Sequence, residues 1–162
     1  LIAIFLILWY RLPGVLAVIA LSAYVVLMLA FFKLIPVVLT AAGIAGFIIS
    51  MGLAVDANVL IFERMKEEMR TGKNIKEAVA LGISRAWSSI RDSNIASLIS
   101  ATILFWLGSS VVKGFALTLG LGVLTSLFTA IVITRIFLLA VSGKQNGRIA
   151  RFFFANGFSK GN

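Results

Sequence analysis

The chain of 162 residues contains no cysteine and no histidine. The first absence excludes disulfides and thiolate metal sites, and the second removes the commonest catalytic base and metal ligand. Most enzyme classes, and any resident metal or cofactor, lose their usual residues with them. Acids are also scarce: six Asp and Glu stand against fifteen Lys and Arg, for a formal charge of +9. Such an excess can mark a nucleic-acid binder, but these cations are spread along segments that flank apolar runs and are not interleaved with aromatics on a polar face. A membrane-topology reading is preferred, and no nucleic-acid partner is expected.

What the chain has in quantity is apolar surface: 60% of residues are hydrophobic and the mean hydropathy is +1.07. That exceeds what a water-soluble domain carries, so the expected class is an all-α, polytopic transmembrane helical bundle. The opening run, 1–9, is too short to span roughly 30 Å of hydrocarbon at about 1.5 Å per residue. It reads as the second half of a span, and the chain as a piece of a longer protein. A secretory signal fits poorly, because Arg11 follows the apolar run. Four full spans are expected at 12–32, 36–62, 94–107 with its flanks, and 114–141.

Segment 63–93 is the only sizeable polar loop, with seven Lys/Arg against five acids. Together with Arg11 and the basic residues from Arg135 onward it collects thirteen cations on one side, against Lys33 and Lys113 on the other. This asymmetry places the loop and the C-terminus in the cytoplasm. Lys33 and Arg135, near span ends, can snorkel, and Lys113 falls in an expected outer turn over 108–114. The expected division is a bundle over 1–141, including the cytoplasmic loop 63–93, and a cytoplasmic tail or linker over 142–162. Inside the loop, Asn74 followed by Glu77 forms a helix start. Ile75, Ala78, Val79, Gly82, Ile83, Ala86, Trp87 and Ile90 then recur at helical spacing, predicting an amphipathic helix over 74–91. It serves either as a lever or docking surface along the interface, or as a connector whose apolar face covers the span ends; the second reading is preferred.

Asp56 is the residue that points most directly to function, because an ionisable group inside a membrane span is costly and usually functional. Small residues at Gly43, Gly46, Ser50, Ala54 and Ala57 form a stripe that permits close helix packing, with Asn58 beside it. Asp56 lies about 200° around from Ala54, on the face of Gly52. Gly114, Thr118, Gly122, Thr125 and Thr129 form a second stripe, and Ser93, Ser97 and Ser100 a third. These hydroxyls either edge a hydrated path or simply bond carbonyls one turn back. Glu63 and Arg64 mark the headgroup boundary, leaving Asp56 roughly 10 Å inside it.

The string Ala54-Val55-Asp56-Ala57-Asn58-Val59-Leu60-Ile61-Phe62-Glu63-Arg64, with Gly43-Ile44-Ala45-Gly46, Arg91-Asp92-Ser93-Asn94-Ile95, Val112-Lys113-Gly114-Phe115-Ala116 and Phe128-Thr129-Ala130, resembles the SecD branch of the SecD/SecF protein-export family. The match runs in order from about Arg11 to Arg135. Ala41-Ala42 replaces a common Leu-Pro, and Ser93 a common Ala. The resemblance implies an RND-like half-bundle that couples the proton-motive force to polypeptide export across the bacterial inner membrane. It also implies SecF as the other half of a pseudo-symmetric bundle, SecYEG and YajC as neighbours, an exported unfolded polypeptide as substrate, and the lipid bilayer as surroundings. Asp56 maps onto the family's proton-transfer aspartate; beside it the stripes themselves offer Asn58, Ser97, Ser100, Thr125 and Thr129 as supporting polar groups and Gly43, Gly46 and Gly122 as packing positions.

Two rival classes remain. A proton-coupled antiporter of small hydrophobic molecules within the RND superfamily would share the intramembrane aspartate, but the family string argues against it. An intramembrane aspartyl protease would need two converging carboxylates. The only other aspartate, Asp92, sits at a span's cytoplasmic edge, so a non-enzymatic role is expected.

Overall fold

The computed structural model describes residues 2–10, 12–35, 40–134 and 136, and these form five α-helices with a final π-helical turn and no strand among the described residues. Helix α1 (Ile2–Tyr10) meets α2 (Leu12–Leu34) at so close an approach that a Cβ on Gly14 would collide with the Leu6 carbonyl. Pro13 sits in the first turn of α2, where a missing N–H costs nothing.

Thr40 starts α3 (Ala41–Arg70) by accepting a hydrogen bond from the Gly43 amide at 3.1 Å. At 30 residues α3 is about 45 Å long, well beyond the hydrocarbon thickness, so its last turns continue out of the membrane. The chain reverses through 71–74, where Gly72 has φ +89°, a left-handed conformation that glycine adopts without a Cβ clash. The Asn74 side chain then accepts from the Glu77 amide at 2.8 Å and opens α4 (Ile75–Leu107).

Here the expectation of a loop with its own interfacial helix is corrected. The amphipathic segment and the following span are one 33-residue helix, and 63–93 is the polar end of a helical hairpin. No proline or glycine stands between Arg91 and Asn94, so nothing in the backbone stops the helix where hydropathy changes. The apolar face found by periodicity is buried: Ile75, Ala78, Val79, Ala86 and Ile90 join Ile61, Phe62 and Met65 of α3 in one core. Burying a side chain such as Phe62 or Val79 from water contributes roughly 1.5–3 kcal/mol. Gly82 permits the contact, since a Cβ there would lie 2.7 Å from the Met65 amide nitrogen and 2.8 Å from its Cα. The covering role preferred for this helix is thus the one observed.

A two-residue turn, Gly108–Ser109, leads into α5 (Ser110–Phe128), which continues as the π-turn Thr129–Thr134. This turn is shorter than the outer turn expected over 108–114, and Lys113 belongs to the first turn of α5. Among the described residues, three helices are long and apolar enough to cross a membrane: Pro13–Leu34, Ala41–Arg70 and Ser110–Phe128. The span expected over 94–107 is the far end of α4, whose apolar part is short because its first half is polar. The end of the last expected span, 137–141, and the tail 142–162 lie outside the described residues.

Candidate functional site

The stripe of small residues sets the geometry around Asp56. On α3, Gly43, Gly46, Ser50, Ala54 and Ala57 are all buried; Gly43 and Gly46 lie against Thr118 of α5, and Ser50 lies against Gly122, both also buried. A Cβ on Gly46 would lie 2.6 Å from the Phe115 carbonyl oxygen, and one on Gly122 would lie 2.8 Å from the Tyr24 hydroxyl. Tyr24, wholly buried, shares a 2.7 Å hydrogen bond with Ser50 and stacks on Phe47, so α2, α3 and α5 meet at this point.

The supporting polar residues divide. Asn58, Thr125 and Thr129 are buried on the packed side. Asn94, which sequence reasoning did not single out, joins them by donating to the Ile90 carbonyl at 2.7 Å while its side-chain oxygen accepts from Ser126 at 3.4 Å. Every hydroxyl of the stripes bonds a carbonyl of its own helix: Ser97 to Ser93, Ser100 to Ala96, Thr125 to Leu121 and Thr129 to Ser126. Ser100 is exposed. No hydrogen bond or ion pair links Asp56 to any of them among the described residues.

Asp56 is exposed on the opposite face of α3, in line with Gly52, beside which an added Cβ would find no atom within 4 Å. Ile44, Ile48 and Ile49 lie uncovered on the same side. Seven residues on, and about 10 Å further along the axis, Glu63 shares that face. Glu63 accepts from the Tyr10 hydroxyl at 2.8 Å and from Lys66 at 2.9 Å, and the Lys66 ammonium sits 4.0 Å from the centroid of the Tyr10 ring. This knot ties α1 to α3 just below Asp56. Pairings across 53 residues, for Tyr10, and 26, for Tyr24, leave no local signal, so neither tyrosine was legible in the sequence.

The hairpin end carries a second charged cluster. Glu68 is 1% exposed and bound by both Lys73 of the turn and Arg85 of α4. Its cover is thin, being made by two cations that are themselves 35% and 58% exposed. The hydrogen bond from Lys73, joined by the charge of Arg85, holds the Glu68 carboxyl below its ordinary value against the opposing effect of burial. A depressed carboxylate contributes its stability fully above the unfolded value of about 4.3 and loses it as pH falls through the lower folded value. Glu68→Gln should therefore loosen the hairpin at neutral pH much as acid does in the wild type. Hydrogen exchange should quicken several-fold in 71–74, with α5 unchanged; equal exchange in both proteins would show that the cluster holds nothing.

A polytopic helical membrane protein with a carboxylate on an uncovered transmembrane face is the class this geometry defines. The chain belongs to the SecD/SecF protein-export membrane protein family, whose C-terminal family model matches residues 1–144. It is 57% identical over 144 residues to protein translocase subunit SecD of Thermobaculum terrenum, covering 86% of this chain and 28% of that protein. With protein translocase subunit SecDF of Bacillus subtilis it is 46% identical over 138 residues, covering 85% of this chain and 19% of the relative. The crystal structure of SecDF from Thermus thermophilus, a translocon-associated membrane protein, superposes with a TM-score of 0.84 at 35% identity, over 88% of this chain and 20% of that one. The chain thus spans less than a third of each of these relatives' length.

Proposed function

We propose that the intact protein carrying this chain is an accessory subunit of the Sec translocase. In this reading it couples the proton-motive force to export of unfolded polypeptides across the bacterial inner membrane, and it has no enzymatic role. The observation that carries the reading is the uncovered α3 face with Asp56 at membrane depth. A bundle cannot leave an ionisable group against lipid at low cost, so that face is completed by protein or water. SecF is the partner that would complete it, with SecYEG and YajC as neighbours, and SecDF relatives support a SecD–SecF pairing. Asp56 is the proton-transfer residue in this scheme. Asn58, Thr125 and Thr129 hold the packed side of the helix that presents it, and Ser97 and Ser100 have a supporting role only if water reaches them from the partner's side. The charge asymmetry supports a cytoplasmic hairpin and an external turn at 108–109.

Inverted membrane vesicles depleted of the intact protein, then resupplied with it, test both halves of this reading. Polypeptide export should regain its stimulation by the proton-motive force. In cells, a single cysteine at position 110 should react with an impermeant thiol reagent while one at position 73 does not. Restored membrane insertion without restored export would reject the function, and labelling of position 73 alone would reverse the topology.

A further inference from the structure

Helices α4 and α5 leave a groove of about 260 Å³ between them. Leu98, Ala101 and Trp106 line it from α4, and Leu117, Gly120 and Leu124 from α5. Its shape follows from small side chains: Gly120 approaches only the Ala101 methyl, and a Cβ there would meet it at an ordinary 3.7 Å. The groove runs along the helices from the level of Trp106 and Leu117 to that of Leu98 and Leu124, roughly 10 Å of rise parallel to the membrane normal. The wall is apolar throughout. Its one hydroxyl, on Thr102, is already donated to the Leu98 carbonyl at 2.8 Å, leaving a methyl to face the groove.

What distinguishes this groove from ordinary lipid-facing surface is the charge at its mouth. Lys113 lies on the same α5 stripe as Leu117, Gly120 and Leu124, at spacings of four, seven and eleven residues, and therefore directly above the groove. It is exposed and makes no ion pair among the described residues. The positive end of the α5 dipole adds to it on the same side. Trp106, at the rim, is 79% exposed and suits the headgroup level, where aromatic side chains gather. An apolar channel along the membrane normal beneath a cation matches one ligand chemistry: an acyl chain below a negatively charged head.

We propose that the α4–α5 groove binds an anionic phospholipid from the leaflet at the Gly108–Ser109 end, with one acyl chain in the groove and the phosphate at Lys113. Annular lipid would show no preference among headgroups here; this site selects for negative charge. Native mass spectrometry of the intact protein, extracted in mild detergent and offered phosphatidylglycerol or phosphatidylethanolamine, reads the selection directly. The wild type should retain phosphatidylglycerol about fivefold better, the size of one surface lysine's attraction for anionic lipid. Lys113→Gln should abolish the preference while leaving the fold intact, because the residue is exposed. Gly120→Leu fills the groove and should reduce retention of both lipids, with its Cβ already accommodated beside Ala101. Unchanged headgroup preference in Lys113→Gln overturns the proposal. So does a Gly120→Leu protein that keeps its lipid yet loses a protein partner on purification, since the groove would then be a helix-docking face. If Gly120→Leu failed to fold, the Lys113→Gln result alone would decide.

Discussion

Replacing Gly46 with leucine is expected to destabilise the bundle by on the order of 3 kcal/mol, the upper range for overpacking a filled interior. The obstruction is backbone, which cannot rotate aside: a Cβ on Gly46 would stand 2.6 Å from the Phe115 carbonyl oxygen and 3.2 Å from the Leu119 amide nitrogen. Helix α5 must move bodily away from α3, and the move opens the buried junction where Tyr24, Ser50 and Gly122 meet. Gly122→Leu should act through the same junction, because its side chain would displace the Ser50 and Tyr24 hydroxyls and break their hydrogen bond. In lipid there is no hydrophobic drive between helices, so close van der Waals approach and such buried hydrogen bonds carry the association. Gly52→Leu is the control from the opposite face, where no atom lies within 4 Å of the added Cβ. Thermal unfolding in detergent should separate the three: lowered midpoints for Gly46→Leu and Gly122→Leu, and a wild-type midpoint for Gly52→Leu. Three identical midpoints would mean that α3 and α5 do not pack along this stripe. Under the proposed function Gly52→Leu should instead lower recovery of SecF, which divides the helix into an inner face and a partner face.

That division was legible in the sequence because helical geometry fixes it. Residues four apart share a face and residues two apart do not, so spacing alone puts Gly46, Ser50 and Ala54 on one face of α3 and Asp56 on another. The Asn74–Glu77 helix start was legible for a similar reason, since a short polar side chain followed at the third position by an acid satisfies the free amides locally. The continuity of α4 was not. Arg91 and Asp92 read as a boundary because they close the polar segment before the apolar run, yet they pair with each other at 3.0 Å on an exposed helix surface that water reaches, and nothing in them breaks a backbone hydrogen bond. The Tyr24–Ser50 and Asn94–Ser126 contacts were hidden for another reason: each hydroxyl has a default partner one turn back, and only tertiary packing reveals the second. The π-turn at Thr129–Thr134 likewise has no composition of its own.

Asp56→Asn is expected to abolish the dependence of export on the proton-motive force while leaving assembly with SecF at wild-type yield. The argument begins with cost. A charged carboxylate at membrane depth loses hydration, and no Lys or Arg among the described residues pairs with Asp56, so the groups that complete its surroundings must come against the uncovered face. If one arrangement of the partner half offers a cation or water and another does not, the proton is held in one and released in the other. Uptake from one side and release to the other then follows from the difference between the two states, as any coupling must. Glu63, on the same face about 10 Å toward the hairpin end, is held by Tyr10 and Lys66. Asparagine keeps the shape and hydrogen-bonding capacity of the aspartate but cannot titrate, so the helix still packs and the coupling is lost. In vesicles, the ratio of export with the proton-motive force to export without it should fall to about one, the value expected when no titrating group couples the two arrangements. Asp56→Glu, which restores titration at the cost of one methylene, should recover part of that ratio. An Asp56→Asn complex that assembles and still exports with full stimulation would place the coupling elsewhere; one that fails to assemble would make the residue structural.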